Sequence, residues 1–475
     1  MRNITFILLF LFPVIFYAQS EVIIETSKPL CMMSFLETAS FSRSVSVSYY
    51  EYIMDELEQD AKFISIVQRY KDLKLEYSHK REEYPKSRHI DVNTKDLLWI
   101  AAANASDIED FSQRIISILP NVTHTQLIAT MTEIEPYYDE MIWEKEQENI
   151  KRVEAQLTAY LPQIGQLFLK AKQFYDSAWD DSIPFKISLC PIPLTQGATV
   201  SLCKGNILIC SFLSQLPKED KGLVGVVIHE MCHLLYDEQT AAFQHELEGY
   251  FTQSESAYNR LAYGYINEGL ATAIGNGWGY EQLYGTLDTT AWYNDVYIDG
   301  FAHALLPLVD QYMQQHRSID NTFVQQAIEA FGTIFPKSIY ETAVLMNAVH
   351  VFTNTDEEKE MDVIMDGLMS NYRVTSMWLS SPIDDEKSKS YMEQPQTTKV
   401  VVIDSDQKAA LQLLADQFDQ PKLAKLPLNS FYTFQDEATE SSVLIFVLEN
   451  LEKLTSGVAA LKTRTYLDFD KGFEF

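Results

Sequence analysis

Two histidines and a glutamate near the middle of the chain have the types and spacing of a metal site for hydrolysis. His229, Glu230 and His233 form the pattern H-E-x-x-H within an apolar stretch, residues 221–236. Such a stretch predicts a buried helix, on which residues four positions apart lie on one face. Two imidazole nitrogens can then bind one zinc ion at about 2.0 Å. Glu230 lies about 100° round the helix from His229, so its carboxylate is directed to a zinc-activated water, as a general base, and not to the metal.

A third protein ligand is expected, because catalytic zinc normally has three such ligands and one open position for water. Glu268 lies in a second helical pattern, residues 265–275. Gly269 and Ala271 are small, and we expect them to let this helix pack closely against the first. Glu268 is therefore the leading candidate for the third ligand.

The segment Asn267-Glu268-Gly269-Leu270-Ala271 resembles the gluzincin metallopeptidases, in which an N-E-x-x glutamate on a following helix completes H-E-x-x-H. The resemblance covers mainly residues 185–315. It implies a zincin-like catalytic domain that holds one Zn²⁺ per chain through His229, His233 and Glu268. Glu268 lies farther from His233 than is usual in the family, and Thr272 stands where the family often has an aspartate that contacts a histidine.

Other residues compete with Glu268 as the third ligand. The metzincin pattern needs a glycine and a histidine where this chain has Tyr236 and Gln239, so that class is excluded. Asp288 ends a G-T-x-D pattern similar to that of the aspzincins, but the Tyr-Gly expected after it is missing. His245 is a possible ligand by type, although its acidic, polar surroundings are typical of a solvated helix face.

A stretch beginning at Tyr297 resembles the Y-x-K-G-x-x-x-L-x-x-L segment of the gluzincin aminopeptidases. The resemblance implies that the Tyr297 hydroxyl stabilises the oxyanion. His303, in the same stretch, is the alternative donor. Asp299 replaces the family's lysine. The aminopeptidase signature G-x-M-E-N is missing, which leaves endopeptidase or carboxy-side exopeptidase activity open.

Strand patterns come directly before the zinc helix. Residues 185–190 alternate in polarity, and residues 199–202 and 207–210 flank a short turn with Gly205, which is typical of a hairpin. The gluzincins carry such strands, and their edge strand binds extended substrate through backbone hydrogen bonds. Residues 275–298 are rich in glycine and aromatic residues and predict a loop, either walling a substrate cleft or packing on the surface.

The whole chain predicts an α+β fold that is mostly helical. We expect five segments, which are a signal peptide at 1–18, a helical N-terminal domain at 19–180, a zinc metallopeptidase domain at 181–352, an acidic linker at 353–395 and a small α/β module at 396–475. Residues 321–335 and 338–352 predict helices. In the last module, residues 399–403 and 441–448 predict strands, and residues 406–418 predict a helix.

Composition limits the partners and the location. The net charge of −30 argues against nucleic acid and anionic membranes, which need basic surfaces. The positive and then apolar start of the chain predicts export, to the periplasm or the medium, and no later apolar run is long enough to span a membrane. The 5 cysteines leave at least one unpaired, and Cys232 is expected in the core.

The sequence thus predicts a secreted zinc peptidase that acts on a peptide or protein substrate, with Glu230 as general base. A zinc-bearing binding or scaffold protein without catalysis is the alternative from another class. Hydrolysis of a non-peptide amide is a third possibility. Glu230 favours catalysis, since metal binding alone does not need this residue.

Overall fold

The computed structural model describes residues 21–41, 47–88, 91–193, 199–202, 205–212, 221–355 and 357–475. The predicted signal peptide lies outside the described residues. The fold mixes α and β structure and is mostly helical, as expected from the sequence. The described chain forms two compact units, the first from residues 21–79 and 91–239 and the second from residues 80–88 and 240–475. These units do not follow the predicted boundaries at 180 and 352.

The first unit contains most of the predicted helical region. Its described α-helices are α1 (Lys28–Ala39), α2 (Val47–Leu57), α3 (Ala61–Lys71), α4 (Thr94–Ala103), α5 (Ile108–Arg114), α6 (Asn121–Tyr138), α7 (Glu144–Thr158), α8 (Leu161–Tyr175) and α9 (Lys221–Asp237). A π-helical turn, Asp139–Trp143, joins α6 to α7. Pro162 lies in the first turn of α8, where its missing N–H costs nothing. The helical pattern of residues 138–177 predicts a kink or a break at this proline, and the chain divides just before it into α7 and α8.

A four-stranded sheet comes before α9 in the first unit. Its strands are β1 (Val22–Glu25), β4 (Phe185–Pro191), β6 (Ile207–Phe212) and β5 (Thr199–Leu202), in that spatial order, while β2 (Ser78–Lys80) and β3 (Asp91–Asn93) form a separate short pair. β1, β4 and β6 run parallel, and β5 is the antiparallel edge strand. The predicted hairpin is therefore confirmed, and Gly205 in its turn has a φ of 67°, which favours glycine.

The second unit begins with a helical layer. Its described α-helices are α10 (Ala241–Thr252), α11 (Asn259–Thr272), α12 (Tyr280–Tyr284), α13 (Val296–Gln314), α14 (Asn321–Ile334) and α15 (Thr342–Leu345). The predicted helix at 321–335 is confirmed by α14. Gly269 of α11 lies where a Cβ would be 2.9 Å from the ring of Phe301 on α13, so its small size allows α11 to pack closely on α13.

The glycine- and aromatic-rich stretch at 275–298 is not a loop throughout. α11 continues into a π-helix, Ala273–Gly279, and then into α12. A Cβ at Gly277 would lie 2.8 Å from the ring of Trp292. The glycine that suggested a loop is needed instead because a tryptophan packs directly on the helix backbone.

A six-stranded sheet completes the second unit. In spatial order its strands are β12 (Lys471–Glu474), β10 (Ser430–Asp436), β11 (Ser441–Val447), β9 (Thr398–Ile403), β7 (Ala348–Thr353) and β8 (Ser376–Ser380). β11, β9, β7 and β8 are parallel, and β10 is antiparallel to both of its neighbours. The two strands and the helix predicted for the last module are confirmed, but the sheet begins earlier in the chain than expected.

Two predictions for this region are wrong. Residues 338–352 were expected to form a helix, yet they contain α15 and then β7. The residues of β7 after Ala348 are buried, because helices cover both faces of a parallel sheet. The segment at 353–395 was expected to be an acidic linker, yet it contains α16 (Glu358–Met369), β8 and α17 (Glu386–Met392). The acidic residues around α16 are compatible with a helix that buries Ile364 and Leu368 against the sheet.

The sheet of the second unit lies between two helical layers. α16 and α19 (Leu454–Lys462) pack on one face, while α17 and α18 (Gln407–Gln417) pack on the other. No described helix of the chain is long and apolar enough to cross a membrane. The four described cysteines are free and buried, and Cys232 is fully buried as predicted, whereas Cys203 lies outside the described residues.

Candidate metal centre

Helix α9 carries the H-E-x-x-H pattern and is held on several sides. Val224, Val227, Ile228 and Leu235 are buried, and the helix packs against α8 and against strands β5 and β6. At its end, the side chain of Gln239 donates a hydrogen bond of 2.5 Å to the carbonyl of Tyr175. Since apolar residues occupy most sides of the helix, its rotation is fixed, and so is the direction of its two histidines.

The two histidines face one another across one helical turn. His229 is 6% exposed and His233 is 8% exposed. Their Nε2 atoms lie 3.1 Å apart, and the rings are nearly perpendicular, with an interplanar angle of 80°. Two nitrogens bound tetrahedrally at 2.0–2.1 Å to one zinc ion would be about 3.3 Å apart. The pair is therefore already spaced to hold one ion.

Glu230 is half-buried on the same helix. The pKa of the Cys232 thiol is raised by its burial, which is the larger cause, and by the negative charge of Glu230. Cys232 is therefore a neutral thiol at neutral pH and a poor metal ligand. Glu230 does not belong to the group of possible metal ligands found among the described residues.

Glu268 lies on α11 and joins the histidines as a candidate ligand. Ligand atoms of His229, His233 and Glu268 all lie within 4.8 Å of one another, and among the described residues they form a group that could hold a metal ion. Two imidazoles and one carboxylate are also the donor types that zinc accepts, so the residues fit this ion.

Two residues beside Glu268 were not assigned to the site from the sequence. Nη2 of Arg373 lies 3.2 Å from Oε1 of Glu268. Nη1 of Arg373 donates to the hydroxyl of Tyr293 at 3.3 Å, and the guanidinium lies 5.2 Å from the centre of that ring. Burial and the charge of Glu268 raise the pKa of Tyr293, with burial the larger cause. Tyr293 therefore stays a neutral hydroxyl next to the carboxylate.

The structure places Tyr297 differently from the expected oxyanion donor. Its hydroxyl donates a hydrogen bond to Glu341, and its ring packs against Phe335 with centroids 5.2 Å apart. A hydroxyl has one proton to donate, so a group that donates to Glu341 is not directed at a substrate oxygen. This geometry argues against the predicted role of Tyr297.

The alternative donor, His303, also has structural partners. Its Nδ1 lies 2.8 Å from the carbonyl oxygen of Asp299, and its ring stacks on Trp292 at 3.7 Å. The side chain is 42% exposed. His303 does not belong to the group of possible metal ligands found among the described residues.

Neither of the other candidate ligands belongs to the group. Oδ1 of Asp288 accepts hydrogen bonds from the backbone N–H and the hydroxyl of Thr290, which fixes a local turn. His245 is exposed on α10, with Nε2 3.1 Å from the carbonyl oxygen of Glu83. The solvated helix face predicted for His245 is confirmed.

Among the described residues, His229, His233 and Glu268 therefore form a group that could hold a metal ion, and three ligands would leave one position of a tetrahedral ion open. Comparison with known proteins found no relative of this chain. No protein-family model, curated protein or solved structure matches this chain.

Proposed function

We propose that this protein is a zinc-dependent peptidase of the gluzincin type, with His229, His233 and Glu268 as the ligands of one zinc ion. The observation that carries the proposal is the pair of buried Nε2 atoms 3.1 Å apart, with a carboxylate oxygen of Glu268 within the same 4.8 Å group. Metal-binding proteins without catalysis need such ligands too. Glu230, next to a ligand and outside the ligand group, favours hydrolysis.

Each residue has a distinct role in the proposed reaction. A zinc ion held here supplies Lewis acidity, which polarises a carbonyl and lowers the pKa of a water. Glu230 accepts the proton of the attacking water through its carboxylate and passes it to the leaving nitrogen. His229 and His233 are held rigid by the packing of α9, which keeps the reacting groups in one geometry.

The sheet before α9 supports an extended peptide as the substrate. β5 is an antiparallel edge strand and packs against α9. An edge strand presents unpaired backbone N–H and C=O groups, to which a peptide can add as a further strand. We therefore propose peptide or protein substrates, bound along β5. Export to the periplasm or the medium is proposed from the first 18 residues of the sequence alone.

The proposal is tested by metal content and by cleavage of a peptide pool. The wild type should bind about one zinc per chain and cleave peptides. Glu230→Gln should keep the zinc, because Glu230 is not a ligand, while its rate falls by about 10²–10⁴-fold, because an amide cannot accept the proton. Glu281→Gln, a change at an exposed position on α12, is the matched control and should leave both unchanged.

Other outcomes would identify the alternatives. Bound zinc without cleavage of any peptide in the pool would favour a non-catalytic binding or scaffold protein. Cleavage of non-peptide amides in place of peptides would favour a different hydrolase. Normal peptide turnover by Glu230→Gln with zinc bound would refute the mechanism.

A further inference from the structure

Glu268 forms an ion pair with Arg373, a residue from a distant part of the chain. Arg373 lies after α16, and its Nη2 is 3.2 Å from Oε1 of Glu268. The two side chains are 32% and 26% exposed, so the pair is partly shielded from water. A charge-assisted hydrogen bond of this kind is stronger and more directional than one between neutral groups.

Arg373 is itself held in place. Its second terminal nitrogen donates to the Tyr293 hydroxyl at 3.3 Å, and the guanidinium lies over that ring, 5.2 Å from its centre. Trp292, next to Tyr293, is buried, and its ring packs on the backbone at Gly277. This packing restricts the movement of the segment that carries Tyr293. The contacts with Tyr293 therefore hold the guanidinium in place, and the guanidinium can in turn hold the orientation of the Glu268 carboxylate.

We propose that Arg373 is a positioning residue for the third zinc ligand, and that it sets the orientation of the Glu268 carboxylate through Oε1. This inference rests on the proposed zinc site. Hydrogen-bond partners of ligating residues commonly change metal affinity by about 10–100-fold when they are removed.

Two opposing effects decide the size of this contribution. The guanidinium orients the carboxylate, which favours zinc binding, but its positive charge repels the ion. The charge acts equally in all directions and is weakened by the solvent that reaches this partly exposed pair. The hydrogen bond acts only on the orientation of Glu268, and Arg373 and Glu268 neutralise each other. We therefore expect orientation to prevail.

The test measures the zinc dissociation constant by competition with a chelator. Arg373→Met should bind zinc about 10–100-fold more weakly than the wild type. Arg373→Lys keeps the charge but loses the planar fork, so its affinity should lie between the two.

The matched control is Arg317→Met. Arg317 makes the same kind of contacts, 2.6 Å to the carboxylate of Asp320 and 4.0 Å from the centre of the Tyr312 ring, but Asp320 caps α14 and is not in the ligand group. Its zinc affinity should match that of the wild type.

A second readout separates positioning from general loss of stability. With cobalt(II) in place of zinc, the visible absorption bands report the coordination geometry. Arg373→Met should shift these bands, and Arg317→Met should not. If Arg373→Met fails to fold, as judged by circular dichroism of the metal-free protein, Arg373→Lys decides by the same two measurements.

Unchanged or tighter zinc binding by the Arg373 variants, or an unchanged cobalt spectrum, would overturn the inference while the proposed function stands. A wild-type protein that binds no zinc would instead overturn the proposed function.

Discussion

A buried lysine in the six-stranded sheet allows a quantitative prediction of stability against pH. Lys399 on β9 has a fully buried side chain, and its Nζ donates to the hydroxyl of Thr439 at 2.7 Å. The closest carboxylate oxygen, on Asp436, is 3.8 Å from Nζ. Burial disfavours the charged form and outweighs the attraction of Asp436, so the pKa of Lys399 falls from 10.5 to about 8.

This shift converts into free energy through the difference in protonation between the folded and unfolded chains. One pKa unit corresponds to about 1.4 kcal/mol, so the fall from 10.5 to about 8 corresponds to about 3 kcal/mol. Below pH 8, Lys399 is charged in both states, and the folded protein bears the full cost of burying the charge. Above pH 10.5 it is neutral in both states and the cost is gone. The stability contributed by this position therefore rises between pH 8 and 10.5.

The prediction is tested with Lys399→Met, which removes the charge and keeps the apolar chain. The difference in free energy of unfolding, variant minus wild type, should fall by about 3 kcal/mol between pH 7.5 and pH 10.5. Denaturant unfolding followed by tryptophan fluorescence measures this difference, in which the titration of all other groups largely cancels. Lys408→Met, at an exposed position on α18, is the control and should give a flat difference. A flat difference for Lys399→Met as well would refute the reasoning.

The remaining predictions concern the proposed site. Glu268→Gln should weaken zinc binding by about 100-fold or more, which exceeds the loss typical of removing a hydrogen-bond partner of a ligand. Asp288→Asn, which changes only a turn, should leave zinc binding unchanged. Chelator competition measures both zinc affinities, and the reverse result would make Asp288 the ligand. Tyr297→Phe should leave kcat within about twofold, because its hydroxyl donates to Glu341, and should lower stability by about 1–3 kcal/mol, because that carboxylate loses a donor. A loss of about 10²–10³-fold in kcat, with zinc and fold intact, would restore the oxyanion role first expected for Tyr297.

The sequence alone determined the local part of the site. The positions of His229 and His233 depend on one helical turn, and a helix was evident from the apolar residues around them. The hairpin before α9 and the break at Pro162 were equally local, because a short turn and a proline act within a few residues. These features could be predicted because neighbouring residues define them.

The elements that were assigned wrongly from the sequence are those whose secondary structure depends on the tertiary environment. The apolar run at 338–352 fits either a buried helix or a central strand, and only the neighbouring strands β9 and β8 make it β7. Glycines at 275–279 suggested a loop, but Gly277 lies in a π-helix because the Trp292 ring needs the space. A strand that is buried on both faces shows no alternation of polar and apolar residues, and the packing of a distant side chain on a glycine leaves no pattern in the neighbouring sequence.

The contacts of the reactive groups were decided by the tertiary structure. Glu268 could be selected from its motif, but its proximity to the histidines depends on how the chain folds between them. Arg373 has no pattern that links it to Glu268, and the partner of the Tyr297 hydroxyl, Glu341, is likewise distant in the sequence. Hydrogen bonds and ion pairs act over about 3 Å in space, whatever the separation along the chain, so the sequence specifies which groups exist and the fold specifies which of them meet.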